Sequence, residues 1–286
     1  MDSVNEKTFE NGQVCLLVDN GSLHPDAILA LRRVAEKLSE RTGMETEAVG
    51  LLHSSKVGAG ELEGVPGQTL ESCLRRYSAR GKTDFVVLPF FLGPSRGITD
   101  WLPRKLGELR NDFPELRVSS APCLSVDGGE EILAEIVTQS VDRIIKSEGL
   151  DPPLVVFVDH GTPEPGVNAV REGVGVQVSD LLCGKISRLL TCSMERRPES
   201  EYDFNEPMLE NLLLDESMVP DGDVVVALFF LSPGRHAGKN GDVEKTCERV
   251  KGIRPELRVH ITQPFGEHPR LLDLLEQRLQ DVLDSC

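Results

Sequence analysis

Residues 154–165 read LVVFVDHGTPEP, and residues 14–25 read VCLLVDNGSLHP. Each is an apolar β-type run that ends in Asp, passes one polar residue and turns at a Gly. A run this continuously apolar fits a strand buried on both faces of a parallel sheet. The likeness extends further along the chain. FFLGPSRG at 90–97 returns as FFLSPGRH at 229–236, and PELRV at 114–118 returns at 255–259. The shifts are 140 (154 against 14), 139 (229 against 90) and 141 (255 against 114). One register held across three landmarks marks an internal duplication.

Within each half the pattern alternates between strand and helix. Strands are expected at 14–18, 47–53, 85–92 and 116–121, and again at 154–158, 191–195, 224–231 and 257–262. Helices are expected at 27–41, 70–80, 99–112 and 130–146, and again at 169–190, 208–214, 242–251 and 269–283. Strands separated by helices imply crossover connections and a parallel sheet. The expected fold is therefore α/β, with two tandem lobes, each a four-stranded parallel sheet flanked by helices. The lobes are drawn at 13–148 and 153–284, with SEGLDPP at 147–153 as the hinge. The loops after the strands all fall on one edge of each sheet, where ligands of such sheets bind.

Composition narrows the function. The formal net charge of −16 argues against a nucleic-acid partner, whose phosphates attract basic surfaces. Hydrophobic residues make up 39% of the chain, as in an ordinary globular protein, and no apolar run reaches the ~20 residues of a membrane span. Seven cysteines without a CxxC pair point to a reducing compartment and to thiols used as small core residues. The opening MDSVNEKTFENGQ is acidic and has no apolar core, so it reads neither as a secretory signal nor as a transit peptide. The expected compartment is the cytoplasm, or the plastid stroma if a transit peptide has been removed.

His160 ends the first strand of the second half, and His236 follows its third. Two imidazoles on one sheet rim can share a divalent metal or move protons. At the matching positions the first half has Asn20 and Gly97, while Asp19, Gly21, Phe90, Phe91, Leu92 and Arg96 are retained. Both histidines are present in one half and both are absent from the other, which points to one site in the second lobe. Glu195 ends the second expected strand and aligns with His53 at a shift of 142. It is a candidate third ligand, or else a solvated surface carboxylate.

Other motif matches are weaker. GPSRG at 93–97 fits the G-x-S-x-G of a nucleophile elbow, which would make Ser95 a hydrolase nucleophile. However, the duplication already explains that loop, and the counterpart of Ser95 is Gly234. GRHAGKN at 234–240 is one residue short of a phosphate loop, and GVGVQV at 173–178 lies in a helical stretch, so no nucleotide site is read.

VDHGTPEP, ALFFLSPGRH and ITQPFGEHPRLLDLL together resemble the class II chelatases of the CbiX/SirB type, the sirohydrochlorin cobalto- and ferrochelatases. The resemblance spans nearly the whole chain. It implies a lyase with two flavodoxin-like lobes facing a cleft. The implied reaction is ATP-independent insertion of Fe²⁺ or Co²⁺ into a tetrapyrrole, sirohydrochlorin in the first instance. His160 and His236 would bind the metal and accept pyrrole protons, with Glu195 as a third ligand. Arg171, Arg235 and Lys239 would pair the carboxylates of the macrocycle. The metal is a substrate, and no permanently bound cofactor is implied. A monomer or a homodimer would serve. The alternative is a non-catalytic tetrapyrrole or metal carrier on the same scaffold.

Overall fold

The computed structural model describes residues 12–285; residues 1–11, and with them most of the acidic opening stretch, lie outside the described residues. Two four-stranded parallel sheets are present. The first contains β1 (Val14–Asp19), β2 (Thr46–Gly50), β3 (Asp84–Pro89) and β4 (Arg117–Ser120), in the order β2-β1-β3-β4. The second contains β5 (Leu154–Asp159), β6 (Leu189–Ser193), β7 (Gly222–Leu228) and β8 (Leu257–Ile261), in the order β6-β5-β7-β8. The helices are α1 (Pro25–Thr42), α2 (Leu70–Ser78), α3 (Leu102–Asp112), α4 (Gly129–Glu148), α5 (Pro165–Leu181), α6 (Leu209–Leu214), α7 (Asp242–Ile253) and α8 (Pro269–Asp284). None of the described helices is long and apolar enough to cross a membrane.

The central strands are the apolar runs of the sequence. Val14 through Val18 and Leu154 through Val158 are all buried, which fits strands covered by helices on both faces. In this strand order the chain leaves β1 and β3, or β5 and β7, toward opposite faces. The carboxyl ends of each such pair form the crevice where doubly wound sheets bind ligands.

One helix is shorter than its pattern. The sequence predicts a helix over 169–190, but α5 stops at Leu181, and Gly184 turns the chain at φ +79°. Leu189 and Leu190 then pair with Val155 and Val156 in β6. Two adjacent leucines fit a helix or a strand equally well, so periodicity alone could not place them.

Packing divides the chain differently from the duplication. Among the described residues, one compact unit comprises 12–124 and 272–285, and the other comprises 125–271. Thus α4, written in the first repeat, packs on α5 and β7 in the second unit. Most of α8 belongs to the first unit, where Asp273 and Glu276 pair with Arg41 of α1 at 2.8 and 2.6 Å. The stretch 147–153, read as the hinge, is therefore internal to the second unit. An amphipathic helix declares that it has an apolar face but not which sheet will cover it.

Six described cysteines are unbridged, and all but Cys183 are buried. Burial pushes the thiol of Cys15 up to about 12 and those of Cys73 and Cys123 to about 11, so these are packing residues rather than nucleophiles.

Candidate metal centre

Three strands of the second sheet deliver three side chains to one rim. His160 follows β5, Glu195 follows β6 and His236 follows β7. Nε2 of His160 lies 3.4 Å from Oε1 of Glu195, and Nε2 of His236 lies 3.9 Å from Oε2. The two imidazole rings meet edge to face, with centroids 4.4 Å apart. One donor atom from each residue falls within 4.8 Å of the others, the one such metal-capable group among the described residues. Two ligands held at about 2.0–2.2 Å from one ion in tetrahedral directions stand roughly 3.4 Å apart. The triad is thus slightly wider than a closed site, and a small inward movement would let it grip an ion.

The backbone explains why these groups meet. Gly161 adopts φ +91°, and a Cβ there would fall 1.8 Å from the carbonyl oxygen of Glu195. Only glycine lets the two loops close to this distance. The amide of Glu195 in turn donates to the carbonyl of His160 at 3.1 Å. Beneath them Asp159 accepts from the Gly161 amide at 3.1 Å, from the Ser193 hydroxyl at 2.6 Å and from Arg171 at 3.2 Å. Arg171 also donates to Ser193 and to Glu172. This knot ties the ends of β5 and β6 to α5.

The imidazoles differ in their surroundings. His160 is half exposed, and its Nδ1 lies 2.9 Å from the Gly161 carbonyl, which leaves Nε2 facing Glu195. His236 is nearly buried, so desolvation and then the neighbouring His160 hold its pKa below the usual imidazole value. A neutral ring at pH 7 is the form that ligates metals. Nδ1 of His236 is buried and lies 3.1 Å from Asp242 at the start of α7, close enough to pair with that carboxylate when the ring is protonated. Beside the triad is a cavity of about 480 Å³ lined by Glu195, Arg235, His236, Asp242 and Arg249 among others.

The other sequence candidates separate. Arg235 is exposed and pairs with Asp242 at 3.2 Å, and Lys239 is exposed on the same loop. Arg171, expected at the rim, is only 1% exposed and is committed to Asp159, Ser193 and Glu172. Its place on α5 points it under the loop, so it cannot meet a ligand. The pairing of Glu195 with His53 also shifts by one residue. Leu52 donates to the Asn20 carbonyl as Glu195 does to that of His160, and the Gly21 Cβ position is blocked by Leu52 as that of Gly161 is by Glu195. The counterpart of Glu195 is therefore Leu52. The helix-to-strand connections of the two halves differ in length, which the uninterrupted shift of the flanking strands concealed. Asp242 was missed altogether, because no repeat landmark singles out the first residue of a helix.

The model of the CbiX family matches residues 14–144 and 154–282. Among solved structures, SirB from Bacillus subtilis with Fe³⁺ superposes with a TM-score of 0.65 at 17% identity, over 94% of this chain and 95% of that one. A CbiX described as the terminal enzyme for biosynthesis of siroheme in denitrifying bacteria gives a TM-score of 0.59 at 11% identity, over 94% and 98%. No curated protein sequence matches the chain. These likenesses bear on the fold, while the family match runs through both repeats. The chain belongs to the CbiX family.

Proposed function

We propose that the protein inserts a divalent metal, Fe²⁺ or Co²⁺, into sirohydrochlorin without ATP, and that His160, Glu195 and His236 carry the reaction. The observation that supports this reading is the convergence of two imidazoles and a carboxylate within 4.8 Å on an accessible rim. Membership of the CbiX family, the Fe³⁺ present with SirB and the siroheme-forming role of the similar CbiX favour the same chemistry.

The reaction balances at these residues. The macrocycle loses two N–H protons and gains the metal, whose oxidation state does not change. As each metal–imidazole bond breaks, its nitrogen lone pair is freed to take a proton. His160 and His236 can thus exchange the metal for the two pyrrole protons, and Glu195 offers a further proton acceptor. Three ligands hold the ion and leave positions open for the incoming nitrogens, as transfer requires. Arg235 and Lys239 stand exposed on the loop that carries His236 and would pair carboxylates of the macrocycle.

Metallation followed by absorbance tests the reading. Protein mixed with sirohydrochlorin and Co²⁺ should metallate faster than buffer, and His160→Ala should abolish the gain. Equal rates for wild type and His160→Ala would discard the assigned mechanism. Tight macrocycle binding without turnover would favour a carrier.

A further inference from the structure

We infer that Asn205 is a positioning residue for His160: it fixes the loop after β5 so that the imidazole stands opposite Glu195. This rests on the metal-centre reading above and adds a residue with no counterpart in the repeat pattern.

Asn205 is fully buried at the end of a 3₁₀ segment, Ser200–Asn205. Its Oδ1 accepts from the Thr162 amide at 2.8 Å, and its Nδ2 donates to the Thr162 carbonyl at 2.9 Å. Nδ2 also donates to the Tyr202 carbonyl at 3.0 Å. Both polar groups of one side chain thus grip both backbone groups of Thr162, two residues after His160. Two further contacts brace the grip. Asn168 of α5 donates to the Phe204 carbonyl at 3.1 Å, and Arg196 staples the base of the loop through Asp203 at 3.0 Å and Glu206 at 2.7 Å.

The His160 ring is half exposed, and its polar and ring contacts are with Gly161, Glu195 and His236. With half of the ring in solvent, packing constrains it weakly, and its position depends on its backbone. The segment that holds this backbone begins at Glu195, the carboxylate the ring must face. One loop thus supplies a ligand and, ten residues later, the clamp for another ligand. In the first unit, where Asn20 stands in the place of His160, the matching Ser22 amide is held by a single hydroxyl, Ser54, at 3.2 Å. Groups that orient metal ligands typically change affinity 10–100-fold when removed.

The test uses the full-length protein and Co²⁺ alone. Wild type, Asn205→Ala, Asn205→Asp and His160→Ala are titrated with Co²⁺, and the ring ¹H–¹⁵N signals of both histidines are recorded. Asn205→Ala should bind Co²⁺ about 10–100-fold more weakly. It should also shift the ring signals of His160 while leaving those of His236 in place, whereas a general loosening would move both. Asn205→Asp keeps an acceptor for Thr162 and should fall between. Unchanged affinity or unchanged His160 signals in Asn205→Ala would overturn the inference. If wild type and His160→Ala bind Co²⁺ equally, the metal-centre reading fails, and amide exchange of wild type still tests the clamp. The Thr162 amide should then be strongly protected; exchange at the rate of an open loop would overturn the clamp as well. The same exchange measurement decides if Asn205→Ala does not fold.

Discussion

The two rims of this molecule share a backbone and differ in chemistry. Gly21 and Gly161 sit at φ +88° and +91°, each pressed against the carbonyl of the second residue after its sheet's second strand, Leu52 or Glu195. Phe90 donates to Val18 at 2.7 Å, and Phe229 donates to Val158 at 2.8 Å. On this common frame the second unit carries His160, Glu195 and His236, where the first carries Asn20, Leu52 and Gly97. All three metal-capable positions are blank together. The frame survives without the site because glycine geometry and strand pairing hold it, and the ligands contribute little to either.

The aspartates beneath the rims extend the contrast. Asp159 sits beside Arg171 and Ser193. Asp19 keeps the bond from its glycine amide, at 2.8 Å, but the positions of the arginine and serine are taken by Leu31 and Gly50. Without a cation, burial pushes the Asp19 carboxyl up to about 6.

Substitutions that exchange features between the units should break the comparison at different depths. The largest effect is expected from Arg171→Leu, which gives the second unit the residue of the first. It strands Asp159 in the interior and should cost about 3–5 kcal/mol in urea unfolding. An unchanged midpoint would mean that the knot under the rim is not structural. Next come Gly161→Ala and Gly21→Ala. Each places a Cβ within 2 Å of a backbone oxygen at positive φ, and each should destabilise by about 2–4 kcal/mol. If only one of the pair is destabilised, the shared frame is not shared.

Asp19→Asn should have a smaller effect of opposite sign. In the unfolded chain the carboxyl ionises near 3.8, while in the folded chain it holds its proton until about 6. Native stability should therefore fall as pH rises through this window, and the loss persists above it. Replacement by Asn should raise stability at pH 7–8 by about 1–2 kcal/mol and leave it unchanged below about pH 3. Thermal melts at both pH values would show this. The smallest effect is expected from writing the site into the first rim. Asn20→His, Leu52→Glu and Gly97→His together should bind Co²⁺ at least about 100-fold more weakly than the native triad. Gly97 begins a helical turn and a Cβ there meets Leu51 at 2.9 Å, whereas His236 lies in a non-helical loop six residues before Asp242, the first residue of α7. Comparable binding would show that the ligands alone make the centre.

Much of the second rim was legible because the chain supplies its own control. VDH against VDN and GRH against SRG isolate His160 and His236 without any geometry. Glu195 was legible only as a candidate, since a one-residue error in register paired it with His53 rather than Leu52. Arg171 was misread for a different reason. An arginine six residues into α5 points outward or inward according to the turn of the helix, and only the structure shows its guanidinium tucked beneath Asp159. Asn205 ends a connecting segment whose path no periodicity describes, and Asp242, though it opens an expected helix, approaches His236 only through the path of the loop before it.

The sequence by itself determined the duplication, the alternation that makes two parallel sheets, and the half that carries the histidines. These are periodic or repeated features, which the chain shows without any knowledge of distances between its segments. Tertiary structure alone decided which unit receives α4 and α8, which arginine is buried, and how near Glu195 comes to both imidazoles. Those outcomes depend on distances between segments far apart in the chain, and such distances are set by how the elements pack rather than by what any one of them contains.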